Sequence, residues 1–252
     1  MIGSGVRWVR APQGWARHLC LDADQGPSRG TVVVVPGLGL PRYTVPLSRE
    51  LSLRGWDVVT VDALAARPRW RAVRVAPTIG GIAGATSHWL ASAELRPPVV
   101  VLGHSTGAQV ALEVVLAVQG ARPEVALVMA GPTFTPAQRR LRRLIPAALT
   151  AYRKDTPKEL VVLRDLARVR TDVVRVVLSG LRHHPEDRMP ALRVPVTLTA
   201  GVADSFAPAR WLHALAEVAG GPSRVEVLPG SHNNVFPHAG KVAELLQSVR
   251  SS

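Results

Sequence analysis

The sequence predicts an α/β protein built on one mostly parallel, doubly wound sheet of about eight strands, with an inserted helical segment. Three observations predict it. Short β-branched runs alternate with longer segments of helical character, and turns rich in glycine and proline separate them. At 252 residues the chain is also long enough to bury one sizeable core.

The first half of the chain begins with a predicted hairpin over residues 5–10 and 16–22. Thr31–Val35 is an unbroken β-branched run, which is typical of a buried parallel strand. A helix over 41–53, with Pro46 suited to its first turn, precedes a strand over 56–62. Residues 63–80 are expected to be irregular. The elements predicted next are a helix over 82–95, a strand from 99, a helix over 108–118 and a strand over 125–130.

Residues 133–190 interrupt this alternation, since they contain no strand-like run and predict several helices separated by prolines. The expected organisation is a core of residues 1–132 and 191–252 with a helical lid at 133–190. The core resumes with strands over 194–200 and 224–228 and helices over 208–219 and 240–249.

The stretch Gly103-His104-Ser105-Thr106-Gly107 joins a β-branched run to a helical segment. This G-x-S-x-G pattern places a serine on a sharp strand-to-helix turn, where Gly103 and Gly107 allow the two elements to approach closely. Here the sequence resembles the α/β-hydrolase family, in which the elbow serine is the nucleophile. The helical segment 133–190 matches the cap or lid of that family.

A serine nucleophile needs a base, and the base needs an orienting acid. Asp204 and His232 each follow a predicted strand, in the chain order Ser, Asp, His that the family uses. The sequence therefore predicts Ser105, Asp204 and His232 as a catalytic triad. Two alternatives are open from the residues alone: Asp204 is also suited to a helix cap, and His238 is a rival base.

The resemblance also implies an oxyanion hole made of two backbone amides. One is that of Thr106, directly after the nucleophile. The other is expected from Leu38, in the stretch Pro36-Gly37-Leu38-Gly39, which resembles the His-Gly-x-Gly stretch of the family with Pro36 where histidine is common. His104 is expected to pack beneath the turn.

The net charge is +13, and residues 133–190 carry thirteen Arg and Lys against six Asp and Glu, a surplus of seven. This bias fits the codon usage of a GC-rich genome, and it also fits a lid that attracts an anionic acyl substrate. No specific nucleic-acid motif accompanies the charge. The longest apolar runs fall short of the roughly 18 residues of a membrane span.

Cofactor and metal sites are not expected. Adjacent His183 and His184 would point apart on a helix, and the run Gly80–Gly84 lacks the spacing of a dinucleotide site. Cys20 is the only cysteine, and no secretory signal is evident at the N-terminus, so a cytoplasmic location is predicted. Oligomeric state is not indicated.

The sequence thus predicts a serine hydrolase that cleaves an ester or thioester through an acyl-enzyme on Ser105. Two other functions would use the same residues. One is hydrolysis of a carbon–carbon bond in a carboxylate-bearing diketone, of the meta-cleavage-product type, which would suit a basic lid. The other is a non-hydrolytic, ligand-binding protein, since a fold does not fix a function.

Overall fold

The computed structural model describes residues 3–24, 26–64, 74–140, 146 and 170–248. Eight strands in this part of the chain form one sheet. They are β1 (Gly5–Ala11), β2 (Gly14–Leu21), β3 (Thr31–Val35), β4 (Asp57–Asp62), β5 (Val99–His104), β6 (Val125–Ala130), β7 (Val196–Gly201) and β8 (Ser223–Leu228).

The strands are ordered β1-β2-β4-β3-β5-β6-β7-β8 across the sheet. The pairs β1–β2 and β2–β4 are antiparallel, and every pair from β4 to β8 is parallel. The chain therefore starts with a hairpin at one edge, and it then winds in both directions from β3. Because their directions agree, the strands β3 and β5–β8 all end at the same edge of the sheet.

Helices connect these strands within the described residues. They are α1 (Val45–Leu53), α2 (Ile79–Ser92), α3 (Thr106–Val118), α4 (Arg170–Arg182), α5 (Pro185–Arg188), α6 (Ala209–Glu217) and α7 (Ala239–Leu245).

The core lies on both faces of the sheet because successive side chains of a strand point to opposite sides. In β3, Val33 and Val35 pack with the helices α2, α3 and α6, whereas Val32 and Val34 pack with α1 and α7. All five residues of β3 are buried. This explains why the central strands appear in the sequence as unbroken apolar runs rather than as alternating ones.

The prediction of an α/β fold with an eight-stranded, mostly parallel sheet is confirmed. The predicted bounds of α2, 82–95, were wrong. The helix begins at Ile79, because the Thr78 hydroxyl caps it by accepting from the Gly81 amide at 3.0 Å, and it ends at Ser92. The predicted helix over 41–53 begins as a 3-10 turn, Pro41–Thr44, before α1. Pro46 lies in the first turn of α1, as predicted.

The inserted segment 133–190 lies between β6 and β7, and residues 141–145 and 147–169 of it are outside the described residues. Its described part contains α4 and α5 and the 3-10 turn Pro136–Arg139. Helix α4 contacts α2 and α3. Among the helices described, none combines the length and apolar character needed to cross a bilayer.

Candidate active site

The three residues of the predicted triad lie together at the edge where the parallel strands end. Oγ of Ser105, after β5, is 3.0 Å from Nε2 of His232, after β8. Nδ1 of His232 is 3.0 Å from Oδ2 and 3.1 Å from Oδ1 of Asp204, which follows β7. The side chains of His232 and Asp204 are only 3% and 0% exposed. A hydrogen-bonded chain therefore runs from a hydroxyl through an imidazole to a buried carboxylate.

Ser105 is held in a backbone conformation that few L-residues adopt, with φ 57° and ψ −126°. Its amide donates to the carbonyl oxygen of Ala130 at 2.9 Å. The flanking glycines are required by space. A Cβ on Gly103 would lie 2.2 Å from the Gly107 oxygen, and one on Gly107 would lie 2.2 Å from the Val35 oxygen. Strand, turn and helix therefore pack at backbone contact, which presents the serine hydroxyl at the sheet edge.

Asp204 is held ionised by its surroundings. Burial by itself raises the pKa of this carboxyl group, but the charge and hydrogen bond of His232 and the hydrogen bonds of two backbone amides together outweigh burial. These are the backbone amides of Phe206 and Ala207, which donate to Oδ1 at 2.8 and 2.9 Å. The net result is a pKa below the ordinary value of an aspartate. A charged acceptor thus faces the His232 ring over the whole neutral range.

The two predicted oxyanion donors lie beside the serine. A Cβ on Gly37 would be 2.9 Å from the Ser105 Cβ, so the loop that carries Leu38 lies against the elbow. Thr106 is the first residue of α3, where backbone amides lack an intrahelical acceptor. The Leu38 amide, however, donates to Oγ1 of Thr106 at 2.8 Å. The sequence did not indicate this side-chain contact.

Residues 32–245 match the profile of the alpha/beta hydrolase family. The chain belongs to this family. No curated protein sequence matches it significantly.

Several solved structures resemble the chain over nearly its whole length. A bromoperoxidase from Bacillus anthracis is 16% identical with a TM-score of 0.70, covering 96% of this chain and 98% of its own. An esterase from Exiguobacterium antarcticum is 19% identical with a TM-score of 0.70, covering 96% and 97%. The N-formylmaleamic acid deformylase from Pseudomonas putida is 16% identical with a TM-score of 0.63, covering 96% and 98%. At these identities the likeness concerns the fold.

His104 does more in this protein than fill space beneath the elbow. Its Nε2 lies 2.8 Å from the backbone oxygen of His232, and its Nδ1 lies 2.8 Å from the Tyr43 hydroxyl. That hydroxyl accepts from the Gly37 amide at 2.5 Å. Burial, followed by the nearby charge of His232, lowers the pKa of His104 to about 3, so the ring is neutral. A carbonyl oxygen only accepts, so Nε2 carries the proton and Nδ1 accepts from Tyr43.

Gly131 is a second residue whose role sequence reasoning missed. It follows β6 with φ +54°, and a Cβ there would lie 3.2 Å from Oδ2 of Asp204 and 3.3 Å from the His232 ring. The sequence predicted only a strand over 125–130, directly before this glycine. No local signal marks its proximity to Asp204 and His232, which come 73 and 101 positions later in the chain.

Apolar side chains lie beside the imidazole. The Phe206 ring packs edge-on against His232 with centroids 4.8 Å apart, and Phe134 packs on Phe206 at 6.2 Å. Leu181 of α4 completes this buried cluster. The described side chains around His232 therefore provide a low-polarity environment on this side of the site.

The other sequence predictions are placed as follows. The His238 ring lies against Gly230, and the serine hydroxyl is bonded to His232 instead. His183 and His184 lie near carboxylates, His183 Nε2 at 2.9 Å from Glu113 and His184 Nδ1 at 3.4 Å from Asp187. In the described parts of the chain, no group of three or more His, Cys, Asp and Glu is arranged to hold a metal ion.

Proposed function

We propose that this chain is a serine hydrolase that cleaves carboxylic esters or thioesters through an acyl-enzyme on Ser105. The observation that carries the proposal is the unbroken hydrogen-bonded chain from Ser105 Oγ through His232 to Asp204. In this arrangement the base contacts the nucleophile and the acid orients the base. The esterases among the structurally similar proteins agree with this chemistry.

In the proposed reaction, Oγ of Ser105 bonds to the acyl carbonyl carbon while its proton passes to Nε2 of His232. The carbonyl π electrons move onto oxygen, which becomes an oxyanion. Collapse restores the carbonyl and expels the alcohol or thiol, which takes the proton from His232. Asp204 stays ionised and stabilises the imidazolium, and a water molecule repeats the sequence to release the acid.

The apolar cluster of Phe134, Phe206 and Leu181 favours a substrate that carries an apolar group on one side of the scissile bond. In the described part of the inserted segment, the arginines that form ion pairs bind carboxylates of the protein itself. Arg139 binds Glu186 with both terminal nitrogens at 2.6 Å, and Arg188 binds Glu113. An anionic substrate would therefore depend on other cations of the segment, and we propose uncharged esters as the first substrates to test.

The deciding experiment is labelling with a fluorophosphonate probe, followed by intact mass and peptide mapping. We expect one probe per chain, on Ser105, with labelling lost in Ser105→Ala. Ser231→Ala is the matched control, because Ser231 is a buried serine directly before His232. It should label normally. A folded wild type that takes up no probe would refute the hydrolase proposal and favour the ligand-binding alternative.

Turnover then separates the bond types. Hydrolysis of 4-nitrophenyl acetate and butyrate, and of a matched thioester, should fall by about 10⁴-fold or more in kcat for Ser105→Ala. A labelled enzyme that ignores all these esters but cleaves a vinylogous diketone acid would favour the carbon–carbon hydrolase instead.

A further inference from the structure

The Thr106 hydroxyl has no role in the reaction proposed above, although it makes a hydrogen bond beside the nucleophile. Leu38, whose amide is the expected oxyanion donor, gives that amide to Oγ1 of Thr106 at 2.8 Å. A backbone amide makes one strong hydrogen bond, so in this arrangement it is not free for a substrate oxygen. The hydroxyl that accepts this bond still has its own proton to donate.

The chain is strained at this contact. Leu38 has φ 54°, and it shares a positive φ with Ser105 alone among the described non-glycine residues. Such strain persists only where the surrounding structure enforces it, and it often occurs at functional sites. Of the two strained residues, Ser105 carries the nucleophilic hydroxyl. Leu38 donates its amide to the hydroxyl of Thr106, the residue directly after Ser105.

The Thr106 side chain is confined in this orientation. Thr106 is only 1% exposed. Helix α4 passes over it so closely that a Cβ on Gly180 would lie 3.4 Å from Cγ2 of Thr106 and 2.8 Å from Oε1 of Gln109. Rotation about χ1 would take the hydroxyl away from the Leu38 amide and move the methyl group from its place beside α4. A β-branched side chain in a helix also has few allowed rotamers.

We propose that the Thr106 hydroxyl is a donor to the oxyanion, and that the Leu38 amide acts through it. This inference rests on the proposed function. The order of donation is Leu38 N–H to Thr106 Oγ1, and Thr106 O–H to the oxygen that becomes charged when Ser105 attacks. A hydroxyl that accepts a hydrogen bond is polarised into a stronger donor. No proton is transferred by Thr106, and the Thr106 amide supplies the second bond.

The test compares Thr106→Ser with Thr106→Ala, because both lack the methyl group and only the first keeps the hydroxyl. On 4-nitrophenyl butyrate we expect Thr106→Ala to lower kcat on the order of 10²-fold with little change in KM, since an oxyanion donor acts in the transition state. Thr106→Ser should stay within several-fold of wild type. Thermal unfolding of both variants checks that the fold is kept.

A second readout distinguishes donation from packing. The rate of fluorophosphonate labelling, whose phosphoryl oxygen occupies the oxyanion position, should fall with kcat in Thr106→Ala. Inhibition by butyrate, a ground-state product, should not change. If Thr106→Ala equals or exceeds Thr106→Ser in kcat, the hydroxyl blocks the Leu38 amide and our inference is overturned. A wild type that neither hydrolyses nor labels would instead overturn the proposed function.

Discussion

Nε2 of His104 lies 2.8 Å from the backbone carbonyl oxygen of His232, although the two residues are 128 positions apart in the chain. Through Tyr43 and the Gly37 amide, the same ring is linked to the loop that carries Leu38. One buried, neutral imidazole therefore connects the predicted base to the predicted oxyanion loop. Its position suggests that it fixes the distance between them.

We expect His104→Gln to lower kcat by about 10- to 100-fold while KM changes little, because small displacements of reacting groups are costly. His18→Gln is the control. His18 is another histidine that is 1% exposed, and it packs on Trp89 away from the site. Both variants should lose stability, and the slower fluorophosphonate labelling should appear only in His104→Gln. Equal kinetic losses in the two variants would assign His104 to stability alone.

Gly131 provides a second test of how tightly the site is packed. In Gly131→Ala the new Cβ would lie 3.2 Å from Asp204 Oδ2 at a backbone φ of +54°. We expect kcat to fall by more than about tenfold, with a stability loss of about 1–2 kcal/mol from the left-handed backbone. Gly26→Ala is the matched control, because its φ is +67° and nothing lies within 4 Å. It should show the stability loss without the kinetic one.

The contacts of His104 and Gly131 could not be predicted from the sequence, whereas those of the triad could. The positions of Ser105, Asp204 and His232 at strand ends were predictable, because parallel strands that alternate with helices bring their carboxyl ends to one edge. The contacts of His104 and Gly131 with Asp204 and His232 depend on how the four strands β5 to β8 are offset in the sheet. No local pattern encodes that offset, so the sequence indicated His104 only as a packing residue and gave no role to Gly131.

The same reasoning applies to Leu38 and Thr106. The sequence indicated both as backbone donors, because the loop and the elbow each resembled a known pattern. It did not indicate that the Thr106 side chain would accept the Leu38 amide, 68 positions earlier. That contact arises from the rotamer of one side chain between a loop and a helix, which only three-dimensional packing determines.

Buried neutral histidines predict an acid-sensitive fold. Burial lowers the pKa of His18 to about 4 and that of His104 to about 3, from 6.5. Below pH 6.5 the unfolded chain binds protons at these positions and the folded chain does not, so the free energy of unfolding falls as pH falls. The slope is about 1.4 kcal/mol per pH unit for each histidine.

Urea unfolding between pH 7 and 5.5 measures this slope above most of the range where carboxyl groups titrate. His18→Gln should reduce it by about one histidine's share. His88→Gln should leave it unchanged, because His88 is exposed on α2. A wild-type free energy of unfolding that stays constant over this range would contradict the prediction.

The contacts of Glu113 indicate how the inserted segment is anchored to α3. It accepts from Nε2 of His183 at 2.9 Å and from Nε and Nη2 of Arg188 at 2.8 and 3.0 Å. Burial alone would raise the pKa of Glu113, but hydrogen bonds from His183 and Arg188 outweigh it and hold the pKa at about 2. The carboxylate is therefore charged above that pH. It joins α3 to His183, which precedes α5, and to Arg188, the last residue of α5.

Glu113→Gln keeps the shape but removes the charge, so we expect a loss of about 1–2 kcal/mol in the free energy of unfolding at pH 7. The cost is limited because Arg188 is half exposed. Glu244→Gln is the control, since Glu244 pairs with the largely exposed Lys241 at 3.0 Å and with Arg54 only at 3.9 Å, and such surface pairs contribute about 0.5 kcal/mol or less. The Glu113 loss should also shrink below pH 4.5, as the unfolded carboxyl takes up a proton and the wild type loses the same contribution. Equal effects of the two substitutions at pH 7 would show that Glu113 does not anchor the segment.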